Sequence, residues 1–520
     1  MARINTNIPS VIAQRNLRTV QSELQTRFER LSTGLRINRG ADDPAGLIIS
    51  ERLRANIEGV NQGIRNSDRA ANVIATTEAS LSEVSDLLNS IKALIVESAN
   101  TGANSEAERT ANQLQIDSAI QSITRISNTA SFGSLKLLNG GLDYTLSGVN
   151  PTNVVQAQVW NASFVNQQTL NVNVDVVASA QTANLYFRPP SAAGTILSAT
   201  TLQIGGSRGV QELTITSGTS LTAVVAAVNN LTSLTGVKAS LINSNPVSGM
   251  VFSSSDYGSA GFVTVKRLGA PAAPADTFSP NLYKLVNNAA PPAAPPFGWA
   301  GLVGGGTVTV AQRDEGRDVQ ALVNGNLATG EGLKIKVNSS SLSADLLLSA
   351  AFATNPSGAA SSFYITGGGS LFQLGPDVSA LQQANFGMQS IAASNLGGTL
   401  INGAIQYLNS LSTGQNNSIA AAVARKDFTQ SSDILEKAID EISQLRGRLG
   451  AFQRNVLDPN ARSLTSSLEN LTASNSAIRD ADFAAETAGL TRAQILSQSG
   501  TTVLQLANAS SQSVLQLLQG

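Results

Sequence analysis

The sequence predicts a mainly α-helical protein with an α+β insert, in which helical coiled-coil arms at the two ends of the chain flank a β-rich middle. The distribution of charge and proline carries this prediction. Residues 1–140 and 396–520 hold 48 of the 69 charged residues and three of the 16 prolines. Residues 141–395 hold the other 21 charged residues, 13 prolines and both tryptophans. Because proline disrupts helix interiors, the long helices are expected at the ends.

The first predicted element is an amphipathic helix over about residues 10–33. Leucines recur every seven residues along it, which is the spacing of one helix face. Gly34 ends the run as a C-cap, because glycine adopts the left-handed conformation that closes many helices. The apolar stripe, extended to the first residues, consists of Ile4, Ile8, Leu17, Val20, Leu24 and Leu31.

A much longer helix is predicted to begin at Pro44. Asp42 and Asp43 precede this proline in the usual order of N-cap and first helical turn. Six of seven positions spaced seven apart are apolar, which indicates a coiled-coil seam. These positions are Leu53, Val60, Ser67, Ile74, Leu81, Leu88 and Ile95. The helix is expected to break at residues 100–102, and a third helix is expected through residues 114–123.

The C-terminal arm has a matching seam. Nine positions over residues 428–456 alternate between spacings of three and four, and eight are apolar, including Leu435, Ile442 and Leu449. Burial of such side chains stabilises by about 1.5–3 kcal/mol each, so both seams are expected to pack against each other or against another chain. Pro459 falls inside the continuing helical pattern and predicts a kink or break.

A second, weaker apolar stripe occupies the last turns of this arm. It consists of Leu504, Ala507, Ser511, Val514 and Leu518. Isolated helices of this kind are marginal in water. We therefore expect this tail and the first 33 residues to be disordered in a free monomer and to fold when they pack against neighbours.

The middle of the chain predicts strands with one short helix. Apolar residues alternate with others over residues 170–176, 308–310 and 333–337, which is the pattern of half-buried strands. Residues 221–231 have helical spacing and lie between strands. The proline-rich stretch of residues 271–296 predicts a loop. These patterns together predict the α+β insert, as one or more domains.

The composition excludes most catalytic and metal sites. The chain has no histidine and no cysteine, so a Ser-His dyad, a thiolate metal site and a disulfide are impossible. The charge cluster at residues 313–318 is interpreted as a solvated turn, and Asp42 and Asp43 lack the spacing of a calcium loop. We predict no enzyme activity, no catalytic or metal site and no cofactor.

Charge and hydropathy also limit the partners. The net charge is −1, whereas nucleic-acid binding requires clustered basic residues, so no nucleic-acid partner is expected. Polar residues interrupt the charge-poor stretches, so no membrane insertion is expected. The first residues lack the apolar segment of a conventional secretory signal. Without cysteine, the chain could cross an oxidising compartment unfolded and form no wrong disulfides.

Both arms carry motifs that resemble those of bacterial flagellin, the subunit of the flagellar filament. Over about residues 1–140 they are I-N-T-N (Ile4–Asn7), L-S-T-G-L-R-I-N (Leu31–Asn38), A-D-D-P-A-G (Ala41–Gly46), E-S-A-N (Glu97–Asn100) and K-L-L-N-G (Lys136–Gly140). Over about residues 418–520 they are R-L-G-A-F-Q-R (Arg448–Arg454), I-R-D-A-D-F-A (Ile478–Ala484), Q-I-L-S-Q-S-G (Gln494–Gly500) and Q-S-V-L-Q-L-L (Gln512–Leu518). Residues 215–240 are similar to a strand-helix-strand module of flagellin surface domains.

This resemblance implies an architecture. The arms would pair within one subunit and build a filament core. Residues 1–40 and 480–520 would form its inner, channel-lining part, and residues 41–140 and 396–479 its outer part. Residues 141–395 would be the variable insert at the surface.

The resemblance also implies a function, partners and a location. The chain would polymerise with other copies into a helical filament for motility, secreted through type III export into the extracellular flagellum. Its further partners would be an export chaperone, a filament cap and hook-junction proteins. Two alternatives remain at this point: a hook-filament junction protein of the same superfamily, or a binding or adhesin module displayed on a filament.

One segment departs from the flagellins that the mammalian toll-like flagellin receptor recognises. Those flagellins read Q-R-V-R-E-L-A-V where this chain has residues 89–96. Ser90 replaces an arginine that could form charge-assisted contacts, Ala93 removes a carboxylate, and Lys92 and Leu94 occupy neighbouring positions. The segment therefore predicts weak receptor activation.

Overall fold

The computed structural model describes the chain from residue 6 to residue 518, with gaps at residues 165–166, 190–193, 270–280, 287–298, 300–302, 304–305, 307, 340, 357 and 402–403. For residues 510–518 only the backbone is described. Ile4 therefore lies outside the described residues, as do the side chains of Val514 and Leu518.

Long helices occupy both ends of the chain, and short ones lie in the middle. Helices α1 to α5 span Ile8–Thr33, Pro44–Ala99, Glu106–Thr129, Leu221–Asn229 and Thr232–Thr235. Helices α6 to α10 span Ala350–Ala353, Ile419–Arg425, Thr429–Phe452, Asp458–Arg479 and Phe483–Leu518. Short 3₁₀ turns lie at Ile242–Ser244, Pro246–Ser248, Ala380–Gln382 and Leu408–Leu411.

The strands among the described residues lie in the middle of the chain, between α3 and α7. Strands β1 to β12 span Ser131–Phe132, Leu135–Lys136, Tyr144–Ser147, Val154–Ala162, Leu170–Ala178, Thr182–Phe187, Thr200–Gly206, Gly209–Ile215, Val237–Leu241, Met250–Tyr257, Phe262–Leu268 and Leu282–Leu285. Strands β13 to β23 span Val308–Val310, Arg313–Glu315, Gln320–Val323, Asn326–Glu331, Lys334–Asn338, Leu342–Leu348, Ser361–Gly368, Ser370–Gln373, Gln383–Phe386, Thr399–Ile401 and Ala404–Gln406.

The largest sheet has eight antiparallel strands in the order β3-β19-β5-β15-β16-β17-β18-β4. Its buried face follows the period of two: Val172, Val174 and Val176 on β5 are buried, and the residues between them are not. Asn324 and Gly325 join β15 to β16, and both have positive φ, as a tight hairpin turn requires.

Two smaller sheets enclose a second core. Their strand orders are β13-β12-β6-β10-β9 and β14-β11-β7-β8. Helix α4 begins at its N-cap Ser220 and buries Leu221, Val224 and Val228 against strand residues such as Leu202 and Phe252. The short helix predicted between strands is therefore confirmed. Paired strands β1-β2, β20-β21 and β22-β23 complete the described strands.

The chain divides into two compact units. The terminal unit comprises Met1–Ala71, Gln373–Gln383 and Phe452–Gly520, and the central unit comprises Asn72–Phe372 and Ala384–Ala451. Helix α2 supplies residues to both. All three large sheets belong to the central unit.

The predicted helices are confirmed with their end signals. Gly34 has φ 73° and its N–H donates to the Arg30 carbonyl, as a left-handed C-cap does. Asp43 Oδ1 accepts from the Gly46 N–H at 2.9 Å and caps α2. Asp42 instead closes the preceding turn, where its Oδ2 accepts from the Asn38 and Arg39 N–H groups. These hydrogen bonds lower the pKa of Asp42.

The interruption expected near Pro459 is a π-helical segment, Gln453–Leu457, between α8 and α9. Leu457 and Asp458 keep right-handed helical angles, so the chain does not leave the helical conformation. Proline has no N–H and its ring crowds the preceding turn. The wider π turn and the position of Pro459 as second residue of α9 accommodate both effects.

Three expectations about the middle and the balance of structure need correction. The protein is 48% helical and 28% strand, so "mainly α" holds only roughly. Of the stretch 271–296, for which the sequence predicts a loop, the structure describes only residues 281–286, and these contain β12, whose LYKL run pairs with β6 and β13. The cluster at 313–318 is not a solvated turn: it contains β14, and the half-buried Asp314 accepts from the Asn184 N–H at 2.7 Å.

Candidate assembly surface of the terminal helices

Helices α1 and α10 pair in antiparallel orientation within the terminal unit. At one end of the pair, Asn7 Nδ2 donates to the Ala507 carbonyl at 2.9 Å and Ser10 Oγ donates to Asn508 Oδ1 at 2.8 Å. At the other end, Arg27 contacts Glu486. The first and last long helices of the chain are therefore held together along their length.

The buried carboxylate of Glu486 holds α1 and α10 together at the end of the pair away from Asn7. Glu486 is only 6% exposed, and its two oxygens accept from Arg27 Nη1 at 2.6 Å and Arg30 Nη1 at 3.2 Å. Burial opposes ionisation, but the hydrogen bonds and charges of the two arginines outweigh it and lower the pKa of Glu486. Charge-assisted bonds of this kind are about twice as strong as neutral ones.

Backbone hydrogen bonds tie the chain segments that follow α1 and precede α10. The Arg36 N–H donates to the Arg479 carbonyl at 2.7 Å, and the Ala481 N–H donates to the Gly34 carbonyl at 2.9 Å. Arg479 Nη1 also contacts Glu51 on α2 at 2.8 Å. The pair is thereby anchored to the rest of the terminal unit at the end where Glu486 lies.

Small residues let the two helices approach closely. Ala13 on α1 and Ala493 on α10 are buried. A Cβ on Gly500 would lie 3.2 Å from Leu17 Cδ1, so any larger residue at 500 would press on that leucine. The predicted stripe residues Leu17, Val20, Leu24, Leu31 and Leu504 are half-buried in the chain itself.

The longer predicted seams are buried within single units. In the terminal unit Val60 is buried and Leu53 is half-buried. In the central unit six seam residues that the sequence singled out are buried: Ile74, Leu81, Leu88, Leu435, Ile442 and Leu449. These side chains form the interior of the subunit, so an exposed contact to another copy must use other residues.

The terminal helices carry a second apolar face that the sequence analysis missed. Of this face, only Ile8 on α1 was among the residues predicted from the sequence. Leu506 on α10 is 71% exposed. Its members are Ile8, Val11, Ile12, Ile495, Leu496, Val503 and Leu506. The signal was present: Ile495, Val503 and Leu506 follow the i, i+8, i+11 spacing of one helix face. We call this set the outer stripe.

The residues compared with the receptor-binding segment lie on α2. Ser90, Lys92 and Ala93 are exposed, and Leu94 is half-buried. Lys92 Nζ contacts Glu436 Oε1 on α8 at 3.2 Å. An exposed pair of this kind contributes little to stability.

Within the central unit a small polar cavity of about 60 Å³ lies between the large sheet and α8. Trp160, Lys437 and Glu441 are among its lining residues. Burial raises the pKa of Glu441 and lowers that of Lys437. Ligand pockets usually measure about 300–1,000 Å³, so this space fits a few waters rather than a metabolite.

Among the described residues there is no group of three or more acidic side chains that could hold a metal ion. No helix in the described part of the chain is long and apolar enough to cross a membrane.

Family models match three parts of the chain. Residues 4–142 match the bacterial flagellin N-terminal helical region, residues 432–518 match the bacterial flagellin C-terminal helical region, and residues 201–256 match the flagellin hook IN motif. The third match contains β7 to β10 and α4, where the sequence analysis found a strand-helix-strand module.

Curated relatives match over nearly the full length. The chain is 30% identical to the B-type flagellin of Pseudomonas aeruginosa and 29% identical to a flagellin of Salmonella choleraesuis, each over 99% of both chains. A solved structure of the flagellar cap protein FliD from Bdellovibrio bacteriovorus covers 43% of this chain and 100% of its own, with 14% identity and a TM-score of 0.26.

Proposed function

This chain belongs to the flagellin family and is therefore a structural subunit of the bacterial flagellar filament, and we propose that its terminal helices join one copy to the next through the outer stripe. The observation that carries the proposal is that stripe: seven large apolar side chains are exposed on two helices that already pair with each other. Large apolar side chains exposed together on one helix face favour an interaction site. A filament requires such contacts to repeat in an open, heterologous arrangement.

We also propose the arrangement of the chain in the filament that the flagellin resemblance implies. Residues 1–40 and 480–520 form the inner, channel-lining core, and residues 41–140 and 396–479 form the outer helical core. Residues 141–395 form the surface insert. The buried seams of α2 and α8 support an outer core that is stable within the subunit, and the exposed outer stripe supports an inner core that needs its neighbours.

The arms are proposed to complete their folding only on assembly. Among the side chains of α1 and α10 that the structure describes, those buried in the chain alone are Ser10, Ala13, Glu486 and Ala493. Burying so little apolar surface offsets only part of the conformational entropy lost by ordering two long helices. Contacts to neighbouring copies would supply the remainder.

The route out of the cell and the accessory partners are also proposals. The chain is secreted unfolded through a type III export apparatus, guided by a chaperone, and it assembles between hook-junction proteins and a filament cap. Its lack of cysteine supports passage through an oxidising space without wrong disulfides. The flagellins form a family of structural proteins, and no enzyme activity is proposed.

Electron microscopy of the purified chain tests the assembly proposal. Ammonium sulfate strengthens apolar burial, and its addition should yield long tubes of uniform width with a central channel. A variant in which Val503 and Leu506 are both changed to Ser should remain monomeric, whereas a Val210→Ser and Leu327→Ser variant, altered at exposed sites of the central unit, should form tubes. Tubes from the Val503/Leu506 variant at the wild-type yield would contradict the role of the outer stripe.

A further inference from the structure

The loop between β20 and β21 exposes two large apolar side chains. Val378 is 88% exposed and Leu381 is 90% exposed. The loop lies in the segment Gln373–Gln383 that the central part of the sequence contributes to the terminal unit. We call residues 377–381 the loop tip. Leaving two such side chains in water forgoes the stabilisation that their burial would bring.

Hydrogen bonds fix the conformation of this loop. Gln373 Nε2 donates to the carbonyls of Gly375 and Asp377, at 3.0 and 2.7 Å. The Asp377 N–H donates to Gln382 Oε1 at 2.7 Å, and Gln382 Nε2 donates to Asp377 Oδ2 at 3.1 Å. The exposed apolar residues therefore sit on a preorganised loop, which loses little entropy on binding.

The base of the loop is seated directly on helices of the terminal unit. A Cβ on Gly63 of α2 would lie 2.9 Å from the Leu374 carbonyl oxygen, and one on Gly59 would lie 3.1 Å from Pro376 Cβ. Asn460 Nδ2 on α9 donates to the same Leu374 carbonyl at 3.0 Å. Two glycines one helical turn apart thus let the loop rest on the helix backbone, and the tip is held outward.

From this arrangement we propose that the loop tip docks on a second copy of this chain in the filament. The tip belongs to the same compact unit as the outer stripe, and an open assembly needs two unlike surfaces on each copy. The only charged residue in the loop, Asp377, accepts a hydrogen bond within it. When Val378 and Leu381 are buried between copies, the Asp377 carboxylate therefore keeps a hydrogen-bond partner inside the loop.

The lack of cysteine makes the contact directly testable. A Leu381→Cys chain labelled with a benzophenone maleimide carries one photo-crosslinker, because no native cysteine competes. Illumination of filaments should give dimers, and illumination of monomers should give none. The matched control is Leu327→Cys, which is 69% exposed on β16 of the central unit; it should give far fewer dimers. Absence of dimers from Leu381→Cys filaments would overturn the proposal.

A second measurement asks whether the contact stabilises the polymer. The double variant Val378→Ser, Leu381→Ser should keep the wild-type circular dichroism and raise the critical concentration for assembly by about tenfold or more. Leu327→Ser should leave the critical concentration unchanged. An unchanged critical concentration in the double variant, with wild-type filaments forming normally, would overturn this inference alone. It rests on the proposed function, which fails separately if the Val503/Leu506 variant assembles like the wild type.

Discussion

Glu486 couples the pairing of the terminal helices to protonation. Its carboxylate is buried between Arg27 and Arg30, and its pKa is lowered by them. A group whose pKa is lower in the folded state stabilises above its unfolded pKa, near the usual 4.5, and this stabilisation is lost as pH falls through the lowered pKa. Acid should therefore loosen the pair of α1 and α10.

The Glu486→Gln variant should raise the critical concentration for assembly about tenfold at neutral pH. The reason is that one hydrogen bond to a charged group stabilises by about 1.5–3 kcal/mol, and the variant loses the charge that Arg27 and Arg30 contact. It should also respond less than the wild type to acidification. Pelleting assays across a pH series measure both effects. Glu29→Gln removes the carboxylate of a more exposed ion pair, between Glu29 of α1 and Arg39, and serves as the control. An equal acid response in Glu486→Gln and the wild type would contradict the coupling.

The residues at the receptor-segment positions predict a weak response from cells that carry the mammalian toll-like flagellin receptor. Ser90 and Ala93 are exposed, so their replacement should not disturb the fold. The variant Ser90→Arg, Ala93→Glu should increase the response of reporter cells to purified monomer, because it restores groups capable of charge-assisted contacts. A full-strength response to the unaltered chain would contradict the prediction.

At the scale of elements, the π segment before Pro459 should make this proline nearly neutral. Pro459→Ala should change the free energy of unfolding of the terminal unit by less than about 1 kcal/mol, because the π turn before Pro459 already accommodates its missing N–H and its ring. Glu469→Pro, at an exposed position in the middle of α9, should cost about 3 kcal/mol. Thermal unfolding followed by circular dichroism compares them, and a large loss in Pro459→Ala would contradict this account.

The long helices could be predicted because the seven-residue spacing of apolar residues is visible within the sequence of each helix. Leu81 and Leu88 would be apolar whether the helix that covers them belonged to this chain or to another copy. The pattern therefore located the seam but did not identify the helix that packs on it. Strand β12 was missed because its four residues lie among prolines, and pairing with β6 stabilises them. The loop tip was missed because no sequence pattern reveals that Val378 and Leu381 face solvent.

At the scale of the whole molecule, the division into two units predicts that the central unit can remain folded in a chain that no longer polymerises. A chain lacking residues 1–33 and 500–520 should keep the β-rich central unit folded, because its sheets have their own buried cores. It should fail to polymerise, because most of the outer stripe is lost. Circular dichroism and electron microscopy measure the two properties, with the full-length chain as control. Filaments at the wild-type yield would show that the terminal helices are dispensable.

The antiparallel pairing of α1 and α10 also decides where this protein can be modified. Asn7 lies beside Ala507, so the first and last parts of the sequence meet at one end of the helix pair. A label attached at residue 7 or at residue 507 would therefore crowd the same part of the helix pair. A fluorophore or purification handle belongs instead in the central unit, where a single introduced thiol would be the only one in the chain.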